Sequence, residues 1–136
     1  MKRYDLIAHT ADTGLVAYGE DLTEAFANAA YGMFAIMTDL RRVRAARKRA
    51  VEVADEDKEG LLFEWLNHLI YLFEVEKWLF KKFEITGMRN NRLTAVCRGE
   101  KYDPARHRIR IGIKSATYYL MKVDGAKNEV QVIFDV

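Results

Sequence analysis

The amino-acid sequence predicts an α+β fold in which two helices pack on an antiparallel or mixed β-sheet. Two segments show helical periodicity, while most other apolar segments alternate like strands. The elements follow the order strands, helix, strand, helix and then a run of strands, which is typical of α+β domains. A doubly wound parallel sheet is less favoured, because the C-terminal half has no helices for crossover connections. With 50% hydrophobic residues in a chain of 136, we expect residues 1–136 to form a single compact domain.

The first helical segment lies between residues 21 and 40. Its apolar residues recur at spacings of three and four on one face, namely Leu22, Ala25, Phe26, Ala29, Ala30, Met33, Phe34 and Met37. Asp21 is suited to cap the first amides, and Glu24 completes a capping-box pattern three residues later.

The second helical segment lies between residues 59 and 78. One apolar stripe comprises Leu62, Trp65, Leu66, Leu69, Ile70 and Phe73. Leu61, Phe63 and Leu72 widen that stripe until little polar surface remains. The pattern therefore predicts a helix that is buried on most sides.

The other elements are predicted as strands. They comprise residues 4–8, 14–18, 50–54, 83–88, 92–99, 108–123 and 129–136. The sequence RNN at 89–91 predicts a hairpin turn, and residues 124–128 supply a second turn. Gly112 and Ser115 are expected to bend or bulge the long strand 108–123.

Charge and cysteine content restrict the class of protein. The net charge of +2 is close to neutral, so the whole molecule is not a strongly basic nucleic-acid binder. The single cysteine, Cys97, excludes an intramolecular disulfide and is best explained as a small buried apolar residue. No apolar run has the roughly 20 residues of a membrane span. We expect a soluble, cytoplasmic protein with no membrane partner.

The two ends of the sequence contain the candidate metal ligands. Asp12 lies in the loop sequence HTADTG, where an aspartate is usually only a turn former, and His9 is more often structural than functional. The final apolar pattern continues to the last residue, which predicts that the chain end is held in the sheet. Asp135 then lies next to the main-chain carboxylate of Val136. If the first loop meets this strand end, three carboxylates come together, and a bound cation is the simplest way to stabilise them.

The ligand types favour a hard cation. Oxygen ligands suit Ca²⁺, Mg²⁺ or Mn²⁺, whereas structural zinc sites use cysteine or several histidines. Cys97, His68 and His107 are scattered through the sequence without metal-ligand spacing. We therefore favour calcium or magnesium at Asp12, Asp135 and Val136. The sequence contains no phosphate-binding glycine loop or nucleophile pattern, so a self-sufficient enzyme is not expected.

Two basic segments have both a structural and a functional interpretation. The segment RRVRAARKR at 41–49 is best explained as a solvated connection, with contact to an acidic partner or RNA as the alternative. Alternation in the predicted strand 108–123 puts Arg108, Arg110 and Lys114 on an exposed face that could contact a phosphate. Tyr118 and Tyr119 are expected to be half-buried strand aromatics, although they could also stack on a base.

The sequence resembles the archease family along nearly its whole length. The matching segments are HTADTGLVAYG, EAFANAAYGMF, LLFEWLNHLIYLFE, GEKYD, IKSATY and the ending VIFDV. Their order and spacing together are very specific. The resemblance implies a small α+β protein, not itself an enzyme, that activates the tRNA-splicing RNA ligase by promoting its guanylylation and repeated turnover.

The resemblance also implies particular site residues. Family members hold a divalent metal, observed as calcium, through the positions that correspond to Asp12, Asp135 and Val136. Lys114 corresponds to the lysine of the IK motif and, like His9, is expected near the metal or at a partner contact. The chain departs from the family at Tyr119, where many members have histidine. The alternatives are a metal-dependent phosphoesterase and an RNA-binding module, and an indirect tRNA contact is a further expectation.

Overall fold

The computed structural model describes residues 2–8 and 13–136, and its two helices and seven strands confirm the predicted α+β class. In chain order the elements are β1 (Tyr4–Ala8), β2 (Thr13–Tyr18), α1 (Leu22–Met37), β3 (Arg47–Ala54), α2 (Lys58–Glu76), β4 (Trp78–Arg89), β5 (Arg92–Lys101), β6 (Ser115–Asp124) and β7 (Glu129–Asp135). A short 3₁₀ turn, Leu40–Arg42, follows α1.

The strands form two antiparallel sheets where the sequence predicted one. The four-stranded sheet has the order β1-β2-β7-β6, and the three-stranded sheet has the order β3-β5-β4. Helix α1 contacts both β2 and β4, while α2 contacts both β6 and β3. The two helices therefore join the sheets through one shared core.

Helix α1 begins and packs as its sequence predicts. The Asp21 carboxylate accepts the backbone N–H of Glu24 at 2.8 Å, which satisfies one of the free amides of the first turn. The Glu24 carboxylate accepts the N–H of Glu20 at 3.0 Å, one residue before the position that a standard capping box uses. All eight apolar residues predicted for the inner face are buried except Leu22, which is half-buried.

Helix α2 is buried on most sides, as its sequence predicts. Trp65 is fully buried and donates its indole N–H to the carbonyl of Phe26 in α1 at 3.0 Å. Tyr71 and Val75 lie on the exposed side. The helix ends at Lys77, which adopts a left-handed conformation and donates its N–H to the carbonyl of Phe73 at 2.9 Å.

The predicted hairpin is confirmed, with longer strands than expected. Strands β4 and β5 are joined at Asn90 and Asn91, and both residues have positive φ, 54° and 55°. Two successive left-handed residues characterise the type I′ turn, which matches the twist of paired strands, and asparagine tolerates this conformation well.

The predicted long strand over 108–123 is wrong in its first half. Strand β6 begins only at Ser115, and the residues before it leave the sheet. The N–H of Arg110 instead donates to the carbonyl of Met37 at 2.7 Å, and its guanidinium donates to the carbonyls of Ala35 and Thr38 at 2.7 and 3.0 Å. Arg110 thus satisfies free carbonyls at the end of α1, so this segment serves as a helix cap.

This difference also changes the predicted basic face. Arg108, Arg110 and Lys114 are all exposed, as predicted, but they precede the start of β6 and so do not line one side of a strand. The irregularity within β6 lies between Thr117 and Lys122, further along than Gly112 and Ser115.

The interpretation of the basic segment 41–49 as a solvated connection is wrong for its last three residues, because residues 47–49 belong to β3.

Cys97 is fully buried in β5, as the sequence predicts. Burial raises the pKa of its thiol to about 12, so the thiol stays protonated and unreactive at neutral pH. Within residues 2–8 and 13–136, neither helix combines the length and apolar character needed to cross a membrane.

Candidate functional site

The last strand lies inside the four-stranded sheet, between β2 and β6. Four of its apolar residues are buried, namely Val130, Val132, Ile133 and Phe134. The expectation that the chain end is held in the sheet is therefore confirmed. A strand paired on both sides has little freedom to fray, so β7 is held in a defined position as far as Phe134, and β6 also pairs with Asp135.

Three segments meet at the end of β7. Thr13, at the start of β2, pairs with Phe134, and Ser115, at the start of β6, pairs with Asp135. The N–H of Lys114 donates to the carbonyl of Asp135 at 2.8 Å. Lys114, Asp135 and Val136 are all exposed, so their side chains are accessible to a ligand or partner.

The structure describes only part of the predicted metal site. Asp12 and His9 lie outside the described residues. Asp12 immediately precedes Thr13 in the sequence, and Thr13 lies beside the end of β7. Within residues 2–8 and 13–136, no group of three or more histidine, cysteine, aspartate or glutamate side chains could hold a metal ion.

Helix α2 fixes the strand beside this site. The side-chain amide of Asn67 donates to the carbonyl of Ala116 at 3.2 Å and accepts its N–H at 2.9 Å. Asn67 thereby satisfies both backbone groups of Ala116 on the outer edge of β6, with which no further strand of the described residues pairs. The only mark of Asn67 in the sequence is that it is a lone amide beside an apolar helical stripe, which does not by itself predict this role.

The predicted aromatic pair is more exposed than expected. Tyr118 and Tyr119 are 56% and 55% exposed on β6. The ring of Tyr118 stacks on Phe63 of α2 with the centroids 4.2 Å apart and the planes within 3°. This packing orients the Tyr118 ring along the α2 surface.

The segment GEKYD has a structural role that its sequence did not reveal. The carboxylate of Glu100 accepts hydrogen bonds from the Arg106 guanidinium at 2.8 and 2.9 Å and from His107 Nε2 at 2.8 Å. His107 Nδ1 accepts the N–H of Asp103 at 3.0 Å, which places the imidazole proton on Nε2. His107 is therefore buried as a structural residue, consistent with its lack of metal-ligand spacing in the sequence.

The protein is similar to archease proteins over its whole length. It is 37% identical to an archease from Sulfurisphaera tokodaii, with 100% of this chain and 99% of that protein covered. It is 38% identical to an archease from Methanothermobacter thermautotrophicus, with 90% of this chain and 89% of that protein covered.

Solved structures have the same fold. The solution structure of Methanobacterium thermoautotrophicum protein 1598 superposes with a TM-score of 0.82 at 34% identity and covers 100% of both chains. The crystal structure of an archease from Thermotoga maritima has a TM-score of 0.58 at 21% identity, with 96% of this chain and 94% of that one covered, and so shows the fold alone. The model of the Archease protein family (MTH1598/TM1083) matches residues 4–136. The chain therefore belongs to the archease protein family.

Proposed function

We propose that this protein activates the tRNA-splicing RNA ligase by promoting ligase guanylylation and repeated turnover. The observation that carries this proposal is the family match over residues 4–136, together with full-length similarity to proteins named archease. The ligase performs the nucleotidyl transfer, and this protein acts as its protein cofactor.

The proposal includes a divalent cation at the end of β7. The ligands would be the carboxylates of Asp12 and Asp135 and the main-chain carboxylate of Val136, with calcium favoured over magnesium or manganese. The chemistry of these groups fits, because hard cations prefer several negatively charged oxygens. The register supports the same set, since Thr13 and Asp135 lie at the same end of the sheet. When bound, the ion would supply positive charge that lets the three carboxylates stay ionised together.

The residues of the chain would then present a rigid contact surface to the ligase. Strand β7 pairs with β2 as far as Phe134 and with β6 as far as Asp135, so Asp135 needs little ordering when it meets a partner. Lys114 lies beside it as an exposed cation suited to a phosphate or an acidic surface. We place His9 near the same site as a neighbour of Asp12.

A guanylylation assay tests the proposal. A cognate ligase would be incubated with GTP and divalent metal, with and without this protein, and both the guanylylated fraction and the RNA joined per ligase would be measured. We expect catalytic amounts of this protein to raise both quantities. An unchanged rate and an unchanged turnover number would contradict the proposal.

The same assay also distinguishes the proposed activator from the alternative, a metal-dependent phosphoesterase. The control is this protein with RNA and metal but without ligase, and we expect no change in the RNA termini. Hydrolysis of a terminal or cyclic phosphate under these conditions would instead identify an independent enzyme.

A further inference from the structure

A basic groove runs along α1 beside β4. It consists of two clefts, of about 280 and 350 Å³, that share Tyr31 and Lys81 in their walls and are therefore adjacent. The first cleft is also lined by Arg3 and Lys82. The Arg3 guanidinium lies over the Tyr31 ring, 4.2 Å from its centroid, which fixes this cation at the wall of the cleft.

A bulge in β4 brings two consecutive lysines to the same cleft. Phe80 pairs with Gly99 and Lys82 pairs with Arg98, so Lys81 is an extra residue in the strand. Consecutive side chains of a regular strand point to opposite faces, yet both lysines line the first cleft. Bulges are frequent next to functional sites, where they redirect a side chain.

Glycine at position 99 permits this irregular pairing. A Cβ atom at Gly99 would overlap the carbonyl oxygen of Leu79. The two backbones therefore approach more closely at the bulge than any residue with a side chain allows.

A row of three cations extends the groove across the three-stranded sheet. Lys48 of β3 pairs with Arg98 of β5, which pairs in turn with Lys82 of β4. All three residues are exposed. Neighbouring strands lie about 4.8 Å apart, so the row spans about 10 Å. Like charges directly opposite each other destabilise a sheet. The row therefore does not help the protein to fold.

We call these five residues, Arg3, Lys81, Lys82, Arg98 and Lys48, the basic track. In the part of the chain that the structure describes, none of the five forms an ion pair with a carboxylate. The carboxylate that lines the second cleft, Asp39, is already paired with Arg41 at 2.9 Å. The track therefore keeps its positive charge available for a negatively charged ligand.

The composition of the track favours nucleic acid over an acidic protein. Protein interfaces are depleted in lysine and centre on large apolar side chains. Three of the five track residues are lysines, and the exposed large apolar side chains of the described residues, such as Leu6 and Tyr71, lie elsewhere. We propose that the basic track binds the phosphodiester backbone of a nucleic-acid strand. This inference needs neither the ligase nor the cation, because it uses none of the proposed metal ligands.

Fluorescence anisotropy with labelled single strands of about 12 nucleotides tests this proposal. RNA and DNA of the same sequence would be titrated with the protein between about 50 and about 200 mM KCl. Five phosphate contacts predict that log Kd rises with log salt concentration with a slope of roughly 3.5. Equal affinity for RNA and DNA would show that the protein binds the phosphates that both strands share. Tighter binding of RNA would show that RNA is the ligand.

Charge-neutralising pairs locate the binding surface. We expect Lys81→Gln with Lys82→Gln, and separately Lys48→Gln with Arg98→Gln, to weaken binding on the order of tenfold and to reduce the salt slope by about 1.4. The matched control is Lys122→Gln in β6 with Lys127→Gln in the turn between β6 and β7, two lysines outside the track, and it should leave binding unchanged. Circular dichroism would show that every pair folds.

Three results would overturn the proposal. The first is no salt-dependent binding by the native protein. The second is an equal loss of binding in the control pair and in both track pairs. The third is equally tight binding of a polyglutamate of matched charge, which would identify an acidic protein surface as the ligand.

Discussion

Glu100 is the most heavily hydrogen-bonded carboxylate among the described residues. Besides Arg106 and His107, the backbone N–H of Arg44 donates to it at 2.9 Å. These hydrogen bonds, with the Arg106 guanidinium as the largest cause, lower the pKa of Glu100 to about 2. The full cluster was not predictable from the sequence, because Arg44 lies 56 residues from Glu100 and only the fold brings them together.

We expect Glu100→Gln to lower the free energy of unfolding by about 2 kcal/mol at pH 7, because hydrogen bonds to a charged group are lost. The folded pKa of Glu100 is depressed below its ordinary value of 4.5, so its stabilisation is complete above that value. The stabilisation is then lost as the pH falls toward about 2. The difference in stability between native protein and variant should therefore shrink in acid.

Urea unfolding at pH 7 and at lower pH measures this difference. Glu74→Gln, at an exposed position of α2, is the matched control and should change stability little. If the stability difference between the native protein and Glu100→Gln stays constant as the pH is lowered, the Glu100 carboxylate is not the charged centre of the cluster.

At the scale of elements, alternating apolar residues predicted where the strands lie, but they did not predict where a strand bulges or begins late. The hairpin between β4 and β5 was predictable because asparagines mark a tight turn. The bulge at Lys81 was not, because an extra residue is defined only by the partner strand. The segment before Ser115 alternates like a strand, yet it caps α1, because Arg110 finds carbonyl partners at the end of that helix.

The cation row across β3, β5 and β4 should reduce the stability of its own sheet. We expect Arg98→Thr to raise the free energy of unfolding by about 0.5 kcal/mol, since it removes the central like charge and threonine suits a strand. The gain should shrink at high salt, which screens exposed charges. Urea unfolding at low and high salt measures both effects.

Arg92→Thr on the same strand is the control for that substitution. Arg92 pairs with Glu52 at 3.0 Å, so its removal should lower stability slightly. If Arg98→Thr loses as much stability as Arg92→Thr, repulsion within the cation row does not destabilise the sheet.

At the scale of the whole molecule, the order of elements predicted the fold class but not the division into two sheets. That division depends on which strands pair, and helices α1 and α2 each contact both sheets. The position of Asp135 was predictable, because apolar residues alternate to the chain end and the sheet holds that end. The contribution of Asp12 stays a prediction, since it lies outside the described residues.

The proposed metal site depends on the main-chain carboxylate of Val136. One glycine added after Val136 turns that carboxylate into a neutral carbonyl and moves the terminal charge roughly 3.3 Å along the strand. We expect calcium affinity to fall at least about tenfold, on the order of 1.4 kcal/mol, while the fold survives. Asp12→Ala should weaken calcium binding in the same direction, because it also removes one of three anions.

Ligase turnover with and without this added glycine tests the central claim most directly. RNA joined per ligase would be counted in the presence of calcium, GTP and either the native protein or the extended protein, with an N-terminal glycine extension as the control. We predict many turnovers with the native protein and with the control, and about tenfold fewer with the C-terminal extension at limiting calcium. Equal turnover with all three proteins would contradict the proposal that the end of β7 is the site through which this protein activates the ligase.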